Sequence, residues 1–173
     1  MRFQDISHFS NTTDYLPILS AAIIVDLVVL MGVVLGQINT VYLTTWYQQY
    51  RGMAVLADVL ILVIGIIIAR FLYPFLFSKW SLPLFLGLTI AVQVAHDLVF
   101  AVLFNAMPRG ASPILDVFKR YATEVGFMIL LADAMMIGGT VVLGSLLASQ
   151  SLNTNIIVFL VALYLIPYVL YSI

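Results

Sequence analysis

Five long apolar stretches, separated by short polar ones, divide this sequence. They lie at about residues 16–36, 53–77, 82–107, 121–149 and 155–173. Each reaches or approaches the roughly 20 apolar residues that a helix needs to cross the hydrocarbon core of a bilayer. Lipid offers the backbone no hydrogen-bond partners, and these stretches do not alternate in polarity as barrel strands do. The pattern therefore predicts five transmembrane helices.

The connections between the stretches are short, which predicts an all-α, up-and-down bundle that forms one membrane domain. In the first connection Tyr42, Trp46 and Tyr50 recur every fourth residue, so they share one helical face, as an interfacial aromatic belt does. The third connection predicts a short surface helix at 112–120, because Ser112 suits its cap and a proline follows at its first position.

Amino-acid composition indicates the environment in which the chain folds. Hydrophobic residues make up 64% of the sequence and charged residues 9%, whereas soluble domains are nearer one half and one quarter. The partner of this surface is therefore expected to be a lipid bilayer. A net charge of −1 gives no basic face for nucleic acid, and the lack of cysteine excludes disulfides and thiolate chemistry. Residues 1–15 lack the pattern of a cleavable signal peptide.

The distribution of basic residues predicts an orientation. One side of the predicted bundle carries Arg51, Arg109, Lys119 and Arg120. The other carries Arg2 and Lys79, with Arg70 expected to snorkel to the interface nearby. By the positive-inside rule the N-terminus is then exoplasmic or lumenal. The sequon that begins at Asn11 would face the same side, although it lies close to the first span.

Ionisable residues inside membrane spans are costly and mark candidate functional positions. At about 1.5 Å per residue, the aspartates lie about 15, 8, 14 and 18 Å from the cytoplasmic ends of their spans. They are Asp26, Asp58, Asp97 and Asp133. Gln93 and His96 stand four and one residues before Asp97, so these three side chains form one polar face of the third span.

Two interpretations of this polar layer remain open. Carboxylates at similar depth, with a histidine that titrates near neutrality, can relay protons or hold a cation. Alternatively, protonated aspartates hydrogen-bond across helices and fix their packing. We favour packing. The transport hypothesis persists because His96 is the one basic residue near the layer that offers it a salt bridge.

No recognisable catalytic or metal-ligand spacing accompanies the layer. One histidine among carboxylates lacks the HExxH spacing of a zinc site, and the serines lack the GxSxG context of a hydrolase. The paired aspartates also lack the flanking glycine motif of an intramembrane protease. We therefore expect no enzymatic activity, no cofactor and no metal. Gly32 with Gly36, and Gly144 with Ala148, have the spacing that lets helices approach closely.

The C-terminal half, from about Gln93, carries AHDLVFAVLFNAMPRG, LDVFKRYATEVGFMILLADAMM and NTNIIVFLVALYLIPYVLY. It resembles uncharacterised small membrane proteins encoded by large DNA viruses of algae and amoebae. The resemblance implies a virion with an internal membrane under an icosahedral capsid. It also implies a role as a membrane anchor for minor capsid proteins.

The sequence thus predicts a non-enzymatic structural membrane protein, with a small proton or cation transporter as the alternative and an accessory subunit of a larger complex as a third possibility. The expected partners are lipid and other membrane or capsid proteins. The residues expected to contact protein partners are Tyr42, Trp46, Tyr50, Arg109, Lys119 and Arg120.

Overall fold

The structure is a computed structural model that describes residues 3–173. A 3-10 turn at Thr12–Asp14 leads into the first of seven α-helices, and the described residues contain no strand. The helices are α1 (Tyr15–Val34), α2 (Val41–Tyr50), α3 (Gly52–Leu76), α4 (Leu82–Ala106), α5 (Pro113–Val125), α6 (Met128–Leu147) and α7 (Leu152–Leu170).

Five of these helices, α1, α3, α4, α6 and α7, are long and apolar enough to cross a membrane, which confirms the predicted helical bundle. The two shorter helices, α2 and α5, connect spans on one side of the bundle. We call this the C-terminal side, because α7 also ends there, and we call the side that carries residues 3–14 the N-terminal side. The protein is therefore a membrane protein whose chain passes through the bundle five times.

Helix α1 lies at the centre of the bundle and packs against α3, α6 and α7, while α4 packs against α3 and α6. Half of the most apolar part of α1 is buried, against 11% of the corresponding parts of α4 and α7. The apolar side chains that α4 and α7 leave exposed match a lipid environment, because lipid tails solvate such surfaces. The last helix thus belongs to this bundle, packed on α1.

The small-residue pairs have different roles. A Cβ atom on Gly144 would lie 3.5 Å from the Cα of Ile18, so α1 and α6 approach closely at this glycine. Gly36 has a φ of +68°, which glycine adopts without strain, and it follows the end of α1. A Cβ on Gly32 would meet the side chain of Ile38 at 2.8 Å, within the same turn. Gly32 and Gly36 therefore shape a chain turn.

The surface helix α5 is longer than the predicted 112–120, and the fourth span starts later than the predicted 121. Gly126 follows α5 with a φ of +64° and separates it from α6. The apolar run hides this break, because the residues on both sides of Gly126, Val125 and Phe127, are apolar. Tyr121 and Glu124 consequently lie in the surface helix instead of the span. The predicted cap is present: the Ser112 hydroxyl accepts a hydrogen bond from the Leu115 N–H.

Candidate functional site

The four membrane aspartates lie on the bundle-facing sides of four different helices. Asp26 of α1 is completely buried. Asp58 of α3 follows the buried Val55 by one turn, and Asp133 of α6 precedes the buried Ile137 by one turn; both aspartates are half-buried. Asp97 of α4 is also half-buried. The sequence thus places carboxylates from α1, α3, α4 and α6 in the half of the bundle nearer the C-terminal side, and we call them the carboxylate layer.

Helix α2 supplies hydrogen-bond donors to two of these carboxylates. The Tyr47 hydroxyl donates to Asp26 Oδ1 at 3.0 Å. The neighbouring Trp46 Nε1–H donates to Asp58 Oδ2 at 3.1 Å. Both aromatic side chains are buried, at 5% exposed for Trp46 and 1% for Tyr47. One surface helix therefore holds carboxylates of two spanning helices through consecutive residues.

The phenol of Tyr47 keeps its proton in this position. Burial raises the pKa of Tyr47 well above its usual range, and the nearby carboxyl groups of Asp58 and Asp26 raise it further. Each effect disfavours the charged phenolate. Tyr47 is therefore a donor, as its hydrogen bond to Asp26 requires.

Asp97, the third carboxylate of the layer, is contacted by two other side chains of α4. Gln93 Nε2–H donates to Asp97 Oδ1 at 2.8 Å, and His96 Nδ1 lies 3.1 Å from the same oxygen. The imidazole of His96 stacks on Phe100, with 5.8 Å between ring centres. The predicted polar face of α4 is thus a connected set of contacts.

The layer also contains unused hydrogen-bonding capacity. The buried oxygens Asp26 Oδ2, Asp97 Oδ2 and Gln93 Oε1 have no partner among residues 3–173. Asp133 likewise accepts no hydrogen bond from the described part of the chain. Buried polar atoms are normally satisfied, so these atoms are the positions at which water or a protonated carboxyl group would complete the network.

Glu124 of α5 caps the start of α2 from across the surface. Its Oε1 accepts from the Val41 N–H at 2.8 Å, and its Oε2 accepts from the Tyr42 N–H at 3.0 Å. The first N–H groups of a helix have no partner within the helix, and a carboxylate also interacts favourably with its dipole there. Helices α2 and α5 are thereby joined into a unit that we call the surface shelf.

Replacing Glu124 by alanine is expected to destabilise the protein by about 1 kcal/mol, as loss of a helix cap does. Glu124→Gln, which keeps one acceptor oxygen, should lose less. Unfolding in detergent micelles would measure both, with Thr123→Ala as the matched exposed control on the same helix. Equal stability of Glu124→Ala and Thr123→Ala would show that the cap is unimportant.

The shelf is also tied to the last helix and to α4. The Arg51 guanidinium donates to the Leu170 carbonyl at 3.2 Å and lies 5.0 Å from the centre of the Tyr171 ring. Phe118 of α5 packs against the Trp46 ring at 4.9 Å between centres and against Phe100 of α4 at 5.3 Å. The C-terminal side of the bundle is thus closed by side chains that meet from several helices.

On the N-terminal side, Arg70 of α3 lies inside the protein. Its side chain has no exposed surface, which corrects the expectation that it snorkels. The guanidinium donates to the carbonyls of His8 and Asn11 and, at 3.1 Å, to Asp14 Oδ2. The Tyr15 ring lies 4.8 Å away. The N-terminal segment folds back over α3, and all three of these acceptors meet one guanidinium nitrogen, Nη2. The other two, Nε and Nη1, are buried without a hydrogen-bond partner among residues 3–173.

The N-terminal segment is also hydrogen-bonded to α6, and the asparagine of the sequon makes a hydrogen bond within the segment. Gln4 N–H donates to the Ser145 carbonyl at 3.0 Å, and the Ser145 hydroxyl donates to the Gln4 carbonyl at 2.6 Å. Asn11 Nδ2–H donates to Asp14 Oδ2 at 3.1 Å. The side-chain amide of the sequon asparagine is therefore hydrogen-bonded to the same carboxylate that contacts Arg70. Arg2, which entered the predicted charge balance, lies outside the described residues.

The residues expected to contact partners differ in their exposure, and Trp46 alone among them is buried. Trp46 is buried in the core of the chain itself, while Tyr42 and Tyr50 are half-buried at the edge of the shelf. Arg109 and Arg120 are exposed, and the half-buried Lys119 donates to the Met107 carbonyl.

Two grooves on the surface of the bundle are apolar. Within residues 3–173 no three histidine, aspartate or glutamate side chains are arranged to hold a metal ion. One surface groove runs between α1 and α7 and another between α4 and α6; apolar side chains and glycines line both, with Gln37 in the first. No family model, curated protein or solved structure matches the chain.

Proposed function

We propose that this chain is a non-enzymatic structural membrane protein that holds a fixed shelf at one membrane surface. The observation that carries the proposal is the pair of hydrogen bonds from Trp46 and Tyr47 of α2 to Asp58 and Asp26 of the spanning helices. These contacts use two of the four layer carboxylates for packing. A carboxylate engaged in this way is less available for ion transfer.

Three links in series support the rigidity of the shelf. Glu124 joins α5 to α2, the Trp46 and Tyr47 bonds join α2 to α3 and α1, and Arg51 joins the start of α3 to the end of α7. A polar contact between membrane helices contributes about 1 kcal/mol. Several contacts in series order a surface that a partner protein can bind without first having to order it.

In its more specific form, we propose that the protein anchors minor capsid proteins to the inner membrane of a virion. The support for this form is the resemblance of the C-terminal half to small membrane proteins of large DNA viruses. Tyr42 and Tyr50, half-buried at the shelf edge, are the side chains we propose for the protein contact. Tyrosine suits that role because it offers a large apolar surface with a polar tip.

A specific observation favours transport of protons or cations as the second candidate. Asp97 Oδ2 and Gln93 Oε1 are buried without a hydrogen-bond partner among residues 3–173, and the half-buried Asp133 accepts no hydrogen bond from the described chain either. A transported ion needs such free oxygens. Carboxylates within membrane spans are also candidate positions of a proton relay.

Flux in liposomes tests the two candidates against each other. We expect the reconstituted protein to conduct protons and monovalent cations no faster than protein-free liposomes. The variants Asp133→Asn and His96→Ala should behave alike, and Lys79→Gln on the opposite side is the control for reconstitution. A flux in the wild type that Asp133→Asn abolishes and Lys79→Gln leaves unchanged would contradict the structural proposal and establish the second candidate.

A further inference from the structure

In α5 and the loop before it, the acidic side chains have hydrogen-bond partners in the protein, whereas the basic side chains have no ion-pair partner among the described residues. Both acidic side chains are bound to backbone N–H groups: Asp116 Oδ2 accepts from Gly110 at 2.8 Å, and Glu124 caps α2. The three basic side chains make no ion pair within residues 3–173. They are Arg109, Lys119 and Arg120. The surface therefore presents cationic groups whose nearest acids already have partners.

Apolar side chains show where this surface lies. Ile114 at the start of α5 is 41% exposed, and Phe127 just after it is 78% exposed. Val117, one turn after Ile114, points into the protein and is only 8% exposed, so the apolar side chains of α5 run from the core to the surface. A helix with exposed apolar groups beside basic ones is typical of the membrane interface, where headgroups meet acyl chains. A bilayer that covers Ile114 and Phe127 would bring the basic side chains to the depth of its headgroups.

We propose that Arg109, Lys119 and Arg120 bind the phosphates of anionic phospholipids in the leaflet on the C-terminal side. Arginine guanidinium groups fit phosphate oxygens with two parallel donors, and an ammonium group adds a point charge. The Lys119 ammonium donates one hydrogen to the Met107 carbonyl and keeps two others for a ligand. Lipid is favoured over an acidic protein because the exposed Ile114 and Phe127 require an apolar neighbour at the same depth.

The orientation predicted from these same basic residues by the positive-inside rule indicates which leaflet would supply the lipid. The C-terminal side would be cytoplasmic, and the cytoplasmic leaflet carries the anionic lipids that attract juxtamembrane basic clusters. The binding surface differs from the carboxylate layer but adjoins Tyr42, because the Arg120 guanidinium lies 6.0 Å from the centre of the Tyr42 ring. Counting bound lipids measures this inference separately from any binding of a protein partner.

Lipid retention by the full-length protein in detergent tests the proposal. The protein is incubated with equimolar dioleoyl phosphatidylglycerol and dioleoyl phosphatidylcholine, and the bound lipids are counted by native mass spectrometry. We expect phosphatidylglycerol to be retained preferentially. The preference should fall roughly fivefold for each basic residue changed to glutamine. The triple variant Arg109→Gln, Lys119→Gln, Arg120→Gln should lose most of it, and Lys79→Gln on the N-terminal side should keep it.

Competition separates the possible sources of negative charge. Inorganic phosphate and a short polyglutamate peptide are added at the same charge concentration as the lipid. Displacement of phosphatidylglycerol by phosphate would mean that the site takes free phosphate, and preferential binding of polyglutamate would mean that it takes an acidic protein; either result overturns the proposal. Equal retention of both lipids, or an undiminished preference in a folded triple variant, would overturn it as well.

Discussion

Asp14→Ala is expected to destabilise the protein by about 3–5 kcal/mol, the usual effect of removing one partner from a buried ion pair. The side chains of Arg70 and Asp14 are 0% and 5% exposed, and Asp14 is the carboxylate that contacts the guanidinium, at 3.1 Å. Without it Arg70 retains its charge inside the bundle with carbonyls alone as acceptors. Unfolding of the purified protein in detergent micelles, followed by circular dichroism, measures the loss.

A matched set of variants isolates the ion pair from other effects of the N-terminal segment. Arg70→Met combined with Asp14→Ala should recover much of the loss, because an apolar side chain of similar length needs no counter-ion. Asp5→Asn is the control: Asp5 pairs with His8, whose side chain is 71% exposed, and asparagine keeps an acceptor for Ser7. This change should alter stability by no more than about 1 kcal/mol. Equal effects of Asp14→Ala and Asp5→Asn would contradict the prediction.

The five spans could be predicted from the sequence because a membrane imposes a length and a polarity on every helix that crosses it. The predicted starts of the second and third spans lie within one residue of Gly52 and Leu82. The start of the fourth was wrong by seven residues, since α5 leads into α6 with one glycine as the visible break. Because the surface helix leads almost directly into the spanning helix, its last turn could not be distinguished from the start of the span in the sequence.

The contents of the candidate site could be predicted, but its connections could not. Asp26, Asp58, Asp97 and Asp133 stand out because each is a charge within an apolar run. Their donors do not stand out, since Tyr47 is 21 residues from Asp26 in sequence and the sequence pattern assigns Trp46 to an interfacial belt.

The partner of Arg70 could not be predicted from the sequence either. Position near a helix end predicts snorkelling, because a long side chain usually reaches water there. The structure instead brings Asp14 to it from 56 residues away, and only the folding of residues 3–14 over α3 reveals this. Long-range polar pairs depend on tertiary packing, which local patterns do not encode.

Tyr47→Phe is expected to destabilise the protein by about 1–3 kcal/mol, because Asp26 would then be buried without any donor. Asp26 has no exposed surface, and its second oxygen already lacks a partner among the described residues. Tyr50→Phe on the same helix is the matched control: its hydroxyl is an acceptor for the exposed Gln49 side chain, and its loss should change stability by less than about 0.5 kcal/mol.

The same pair of variants tests whether α2 is fixed or mobile. If the Tyr47–Asp26 bond holds the shelf, hydrogen exchange at residues 41–50 should be slow in the wild type and in Tyr50→Phe, and faster in Tyr47→Phe. Adding Asp26→Leu to Tyr47→Phe should slow the exchange again, because removing both polar partners leaves no buried group unsatisfied. Fast exchange in the wild type would instead mean that α2 opens readily over the carboxylate layer. Asp26 and Asp58, the carboxylates that α2 covers, would then be within reach of water, and transport would become the better explanation.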